Sequence, residues 1–275
     1  KLLIKICRLL GYELIDQSDM SFITSLNKES ASIVGKKSIT LPLGEIKIKR
    51  KIRSLDIILK TCTAVNLVTQ NKKRIFEHEK SEYTFRTINS LLKSLKKSKQ
   101  YIDNINLQIT IIDSGSSKDD KEKMREILEK SKFKFNFIEL NLNDYLKRIK
   151  VIKKNNIQIE SNMKSTMASI IKSFEISKNF DDLIYFVEDD YIHSDDCISE
   201  MLSVYEKFST ILEDEIFIVP VDYPYLYQKN QSTNVLVGQK YHWRSVRESL
   251  LTFLTSKKMI NKYYNELIKM GEIEH

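Results

Sequence analysis

From Leu55 onward the chain alternates short apolar runs with longer stretches whose apolar residues recur every three or four positions. Leu55-Asp56-Ile57-Ile58-Leu59, Gln108-Ile109-Thr110-Ile111-Ile112, residues 133–138, Leu183-Ile184-Tyr185-Phe186-Val187 and Ile216-Phe217-Ile218-Val219-Pro220 each read as a strand that is apolar on both faces. Between them, residues 84–99 place Ile88, Leu91, Leu92 and Leu95 at helical spacing. Residues 119–130 do the same with Met124, Ile127 and Leu128, and residues 161–177 with Met167, Ile170, Ile171 and Phe174. A further helix is predicted over 195–208. Strands of this kind, alternating with helices, predict a Rossmann-like α/β fold with a mainly parallel sheet covered on both sides. Ligands of such sheets bind beyond the carboxyl ends of the strands. No internal repeat is visible.

The first 54 residues do not follow this pattern. Polar residues at positions 1, 5 and 8, with apolar ones between, predict a basic amphipathic helix from Lys1 to Leu10 that ends at Gly11. Its apolar side either packs on the protein's own domain, the favoured reading, or lies on an anionic membrane surface. Ser38 to Leu41 and Glu45 to Ile48 read as a hairpin around a turn at Pro42 to Gly44. The expected division is an N-terminal appendage, 1–54, and a catalytic domain, 55–275.

Composition refines this in a few respects. An apolar content of 41% supports a sizeable core, and 6 Gly and 3 Pro argue against a loop-rich all-β fold. The net charge of +8 invites a nucleic-acid or membrane partner. The lysines are scattered, however, and no recognised nucleic-acid motif appears, so no nucleic-acid partner is expected. Cys7, Cys62 and Cys197 stand far apart without a CxxC pair, as thiols in a reducing compartment would. No apolar run reaches the roughly 18 residues of a membrane span. The expectation is a cytoplasmic protein, with peripheral contact at the inner membrane face through residues 1–10 as an alternative. The sequence starts at Lys1, so a preceding signal segment stays open.

Two strand ends carry acidic residues. The run Ile111-Ile112-Asp113-Ser114-Gly115-Ser116-Ser117-Lys118-Asp119 delivers Asp113 at a strand tip, allows a tight turn at Gly115 and offers Asp119 as a helix cap. The run Tyr185-Phe186-Val187-Glu188-Asp189-Asp190-Tyr191 places three consecutive carboxylates after a buried strand. Their mutual repulsion favours a hard divalent cation with oxygen ligands and open positions for phosphates. The plainer reading is a solvated turn capping the next helix, a role that Asp195 and Asp196 already offer.

Together the two motifs resemble the family-2-like glycosyltransferases of the GT-A fold, over roughly residues 55–225. Ile112-Asp113-Ser114-Gly115-Ser116 resembles that family's apolar-Asp-x-Gly-Ser turn, and Glu188-Asp189-Asp190 resembles a Glu-Asp-Asp form of its DxD motif. The resemblance implies a metal-dependent enzyme that moves a sugar from a nucleoside-diphosphate sugar to a hydroxyl of a glycan or lipid-linked acceptor. It implies Mn2+ or Mg2+ at Asp190 and Glu188, with Asp113 on the base and Asp189 near the ribose or the metal shell. Thr61 and Lys164 are further donor contacts, Lys164 lying with Asn162 on a helix similar to the one beneath the donor sugar.

Two departures stand out: residues 61–82 lengthen the passage from first strand to first helix, and a QxxRW motif is absent. The stretch Gly238-Gln239-Lys240-Tyr241-His242-Trp243-Arg244-Ser245-Val246-Arg247-Glu248 gathers the sole Trp with a His, two Arg and a Glu. His242 is a candidate third metal ligand, Arg244 a candidate cation for the diphosphate, and Trp243 either stacks on the acceptor or belongs to the core. Inversion needs a carboxylate base, and Glu248 and Asp222 are the candidates, Glu248 favoured. The rival readings are a nucleotidyltransferase acting on sugar phosphates, against which Thr61-Cys62-Thr63-Ala64-Val65-Asn66 lacks glycine, and a non-enzymatic basic surface-binding adaptor.

Overall fold

The computed structural model describes residues 2–12, 38–41, 44–64, 78–150, 157–228 and 233–274. A short helix α1 (Leu2–Leu9) and an antiparallel pair, β1 (Ser38–Leu41) and β2 (Gly44–Lys47), precede the main body. The body contains β3 (Ser54–Thr61), α2 (Lys80–Lys97), α3 (Lys99–Ile102), β4 (Asn106–Asp113), α4 (Lys118–Ser131), β5 (Phe135–Glu139) and α5 (Ile157–Ser177). It continues with β6 (Leu183–Glu188), α6 (Cys197–Leu212), β7 (Val235–Val237), β8 (His242–Arg244), β9 (Phe253–Ser256), α7 (Lys257–Lys262) and α8 (Tyr264–Glu272). Five strands form one sheet in the order β5-β4-β3-β6-β9, all parallel except β9. The expected mixed, mainly parallel sheet between helices is therefore observed.

The pleat assigns each side chain to a layer. Leu55, Ile57 and Leu59 of β3 face α2, α4 and α6, with Ile88, Leu92, Met124 and Leu202 in one buried cluster. Ile58 of β3, Ile112 of β4 and Phe186 of β6 face the other way, onto Ile171 and Phe174 of α5 and Ile260 of α7. That second layer is also tied together by Arg148, which bonds Glu175 of α5 at 2.5 Å and Glu272 of α8 at 3.0 Å.

The fifth predicted strand is corrected. Ile216 to Pro220 makes only an isolated antiparallel bridge, Ile218 to Leu254. The sheet edge is β9, whose four residues are all buried and which pairs antiparallel with β6. A run of β-branched and aromatic residues marks a strand former, but Pro220 lacks an N–H for a ladder, and Phe217 remains 39% exposed. The predicted caps are corrected too. Ser117, not Asp119, caps α4 by accepting from Asp120 N at 3.1 Å. Asp196 stands at the start of α6 without capping it, and accepts instead from Lys240 Nζ at 2.9 Å and Ser194 Oγ at 2.8 Å.

Residues 49–53 are fastened to the body just before β3. Arg53 N donates to Asp182 at 2.8 Å, Ile52 N to Glu206 at 3.1 Å, and the Arg50 guanidinium lies between Asp182 and Glu215. The favoured packing of α1 on its own domain is not seen, since Leu2, Leu3 and Ile6 are exposed and Leu9 is 87% exposed. The turn residues of the predicted hairpin, 42 and 43, and residues 65–77 of the long passage lie outside the described residues. No described helix is long and apolar enough to cross a membrane.

Candidate active site

At the carboxyl edge of the sheet, Thr61 ends β3 beside Asp113, which ends β4. Thr61 Oγ1 donates to Asp113 at 2.9 Å, and the backbone N–H groups of Gly115 and Ser116 donate to the other carboxylate oxygen at 3.2 and 3.0 Å. Asp113 thereby closes its own turn and is only 2% exposed. Gly115 takes φ 149, a backbone region that favours glycine. The turn is stitched to the end of β3 by Thr63, whose N–H donates to Ser116 Oγ at 3.0 Å and whose hydroxyl donates to Asp120 at 2.6 Å. A nucleotide base would reach the Asp113 carboxylate only if this turn shifted.

The acidic run does not act as one cluster, because the pleat sends its members to opposite layers. Asp189 points to the α2 side, buried, and accepts from Lys80 Nζ at 2.5 Å, Thr84 Oγ1 at 2.9 Å and Cys62 N at 3.2 Å. Glu188 lies on the α5 side, in register with Lys60, whose ammonium is 3.6 Å away. Asp190 is exposed at the rim. The repulsion inferred from sequence is thus relieved by two lysines of the chain itself. Lys60 was legible as a lone cation in an apolar strand; Lys80 was not, since it arrives from the start of a helix beyond residues 65–77. Lys164 lies half-buried on α5, which covers the same layer as Lys60 and Glu188.

Beyond the acidic turn, Tyr191 and Tyr223 share a hydroxyl–hydroxyl bond of 2.7 Å, and burial raises both phenols above their ordinary range. His193 is buried, pairs through Nε2 with the Tyr185 hydroxyl at 3.0 Å, and is lowered by burial to about 4. It is a neutral core imidazole at physiological pH.

The C-terminal stretch forms a small hairpin, β7 with β8, clamped onto α6. The clamp is Glu200, 2% exposed, which accepts from Gln239 N and Lys240 N at 3.0 Å each and from Trp243 Nε1 at 3.1 Å. A side chain at Gly238 would place its Cβ 2.2 Å from Glu200 Oε1 and 2.7 Å from Trp243 Nε1, so one of those side chains would have to give way. Trp243 therefore belongs to the edge of the core, and its indole N–H is committed to α6. Glu200 is a residue that the sequence reading missed, though a lone carboxylate among Ile198, Met201 and Leu202 marked it.

Asp222 and Arg244 are brought together, but as partners of each other. Arg244 donates to Asp222 at 2.7 and 3.2 Å and lies 4.2 Å from the centre of the Tyr227 ring, while the Tyr227 hydroxyl also bonds Asp222. The guanidinium holds the Asp222 carboxyl below its usual range. Asp222, His242, Arg244 and Glu248 line a cavity of about 500 Å³ that also meets Tyr223. His242 thus lines this cavity, and among the described residues no three His, Cys, Asp or Glu side chains form a group able to hold a metal ion by themselves. The predicted set of Glu188, Asp190 and His242 is not assembled.

No protein-family profile and no curated protein matches the chain. Among solved structures it is similar to S. aureus TarS 1–349, at 13% identity and TM-score 0.39, over 77% of this chain and 49% of that one. It is also similar to the galactosyltransferase LgtC in complex with donor and acceptor sugar analogues, at 11% identity and TM-score 0.31, over 80% and 66% of the two chains. An active-site mutant of LgtC gives 12% identity and TM-score 0.24 over 49% and 37%. The chain spans about half of TarS and under two thirds of LgtC. Likeness this loose carries no assignment, and function rests on the site.

Proposed function

We propose that the protein transfers a sugar from a nucleoside-diphosphate sugar to an acceptor hydroxyl, with inversion, as a GT-A glycosyltransferase. The observation that carries this reading is the meeting, at the carboxyl edge of one mainly parallel sheet, of the Thr61–Asp113 turn and the Glu188-Asp189-Asp190 turn, with Tyr191 next to that turn bonded to Tyr223, which lines a cavity of about 500 Å³. Such an edge is where α/β sheets take nucleotides.

The donor's nucleoside belongs at the carboxyl ends of β3 and β4, beside Thr61 and the Asp113 turn. Glu188 and Asp190 would be the carboxylates to hold a divalent ion, Mn2+ or Mg2+, of the kind bound by one or two carboxylates and completed by substrate phosphates. When bound, that ion would offset the charge of the departing diphosphate. Asp189 acts as the internal tie: by engaging Lys80, Thr84 and Cys62 N it fixes the end of β6 against α2 and β3. Lys60 stands beside Glu188, its ammonium 3.6 Å from the carboxylate.

The acceptor belongs in the cavity. Glu248, exposed on its wall, takes the proton of the attacking hydroxyl as the oxygen–carbon bond forms at the anomeric carbon and the bond to the diphosphate breaks. Asp222 is the poorer base, because pairing with Arg244 lowers its proton affinity. We also assign α1 to contact with an anionic membrane surface, on the complementarity of Lys1, Lys5 and Arg8 and the exposure of Leu2, Ile6 and Leu9. Thermal denaturation with a panel of nucleotide sugars plus Mn2+ tests the reading: one nucleotide sugar should raise the Tm, and sugar phosphates alone should not.

A further inference from the structure

Just before β3 the chain reads Lys47-Ile48-Lys49-Arg50-Lys51-Ile52-Arg53, and its exposure alternates. Lys47, Lys49, Lys51 and Arg53 are exposed, while Ile48, Arg50 and Ile52 are half-buried. The backbone of this strap is held from beneath. Lys49 N and Arg50 N donate to Thr210 Oγ1 at 3.2 and 3.1 Å, Ile52 N to Glu206 at 3.1 Å and Arg53 N to Asp182 at 2.8 Å. With Lys257 and Lys258 of α7, the strap lines a concavity of about 710 Å³ at the amino edge of the sheet. Six cationic side chains line it against three carboxylates, Asp181, Asp182 and Glu215. Two of those three are engaged inward, because the Arg50 guanidinium lies between Asp182 and Glu215. Asp181 is the one exposed carboxylate of the lining, and Asp214 beside it pairs with Lys258 at 3.5 Å. Lys49, Lys51, Arg53 and Lys257 have no ion pair among the described residues.

We propose that this amino-edge strap is a second docking surface, by which the body of the protein settles on a membrane rich in anionic lipid. A group of roughly four to eight basic residues beside a bilayer is drawn to its negative surface. A backbone already fixed by hydrogen bonds loses little further freedom on contact. Nucleic acid is the poorer fit, since no aromatic side chain alternates with the cations to stack on bases. The choice of partner rests on the membrane reading of α1 given above, since stable attachment takes two contacts; the charge of the strap does not, and neither depends on the transfer reading. The strap and the Thr61–Asp113 turn stand at opposite ends of β3, whose eight residues span roughly 25 Å. A membrane under the amino edge therefore leaves the acidic turn facing away from lipid.

The test is co-sedimentation of the whole chain with vesicles of phosphatidylcholine and phosphatidylglycerol in equal parts, at low salt, with pure phosphatidylcholine vesicles as control. Binding is expected to the mixed vesicles only, and to weaken as salt is added. Lys49→Gln with Lys51→Gln should lower the partition coefficient about thirtyfold, since each basic residue near such a surface contributes about fivefold. Both side chains are exposed, and neither belongs to the proposed donor or acceptor site. Lys257→Gln with Lys258→Gln should act likewise if the first pair is unstable. Lys118→Gln with Lys130→Gln, the same loss of charge placed on α4, should leave binding nearly unchanged. Equal losses in the strap and α4 variants would mean that net charge alone attracts the chain, and would overturn the proposal. So would the absence of binding by the unaltered chain, or strap-dependent binding to a single-stranded oligonucleotide in place of vesicles. Leu9→Asp separates the two contacts. Binding lost in Leu9→Asp but kept in the strap variants leaves the membrane to α1 and removes this inference. Binding lost in the strap variants but kept in Leu9→Asp removes the reading of α1 and leaves the strap standing.

Discussion

At the scale of single residues, burial and pairing decide what each carboxylate can do. Asp113 accepts three hydrogen bonds within its own turn, two from backbone N–H groups. Replacing it with Ala leaves those donors buried and unsatisfied, so Asp113→Ala should lose about 1–3 kcal/mol of stability in urea denaturation. An unchanged midpoint would mean that the turn holds without it. Asp56 is different. It is buried on β3, chiefly by desolvation and secondarily by Asp181, and its carboxyl is raised to about 6. A raised carboxyl contributes stability that is present below about 4 and lost as pH rises through about 6. Asp56→Asn should therefore stabilise the protein at pH 7.5, by about 1–2 kcal/mol after discounting for the edge that reaches solvent, and should do nothing at pH 4. A pH-independent effect would exclude this account of Asp56.

At the scale of elements, the strands and helices of the body were legible because each is an apolar pattern with one period. β3, β4, β6, α2, α4, α5 and α6 all lie where the pattern puts them. What the pattern could not show was the antiparallel edge strand and the pairing of individual side chains. β9 was invisible because Phe253 to Ser256 is only four residues, two of them polar, and gains its burial from β6. The acidic run looked like one cluster because sequence adjacency hides the pleat, which separates Glu188 from Asp189 and hands each its own lysine. Trp243 looked available to a ligand until Glu200, forty-odd positions away, claimed its N–H. The hairpin clamp and α1 each give a prediction. Gly238→Ala forces a Cβ into Glu200 Oε1 and should displace β7 and β8, seen as a red-shifted Trp243 emission and faster hydrogen exchange across 234–245, with the sheet core unaffected. For α1, Leu9→Asp should remove binding to vesicles rich in anionic lipid; equal flotation of both proteins would deny the helix a membrane role.

At the scale of the whole molecule, the proposed function involves two places. One is the set of polar side chains at the carboxyl ends of β3, β4 and β6; the other is the cavity of about 500 Å³ between α6, residues 217–226 and the C-terminal hairpin. The first was readable from Asp113 and Glu188-Asp189-Asp190 alone, since strand-end acids need no tertiary knowledge to be noticed. The cavity was not, because its walls come from residues 194–201, 217–226 and 241–249, which meet only in the folded chain. The proposed transfer requires both at once, a donor in the first and an acceptor hydroxyl near Glu248 in the second.

That requirement is tested most directly by calorimetry of nucleotide-sugar binding with Mn2+, comparing the unaltered chain with Asp190→Ala and Glu248→Gln, followed by turnover with the same donor. Binding of one nucleoside-diphosphate sugar that is lost in Asp190→Ala, kept in Glu248→Gln, and followed by transfer in neither variant is the predicted result. Nucleotide-sugar binding that ignores Asp190, or no binding by the unaltered chain to any nucleoside-diphosphate sugar, would contradict it.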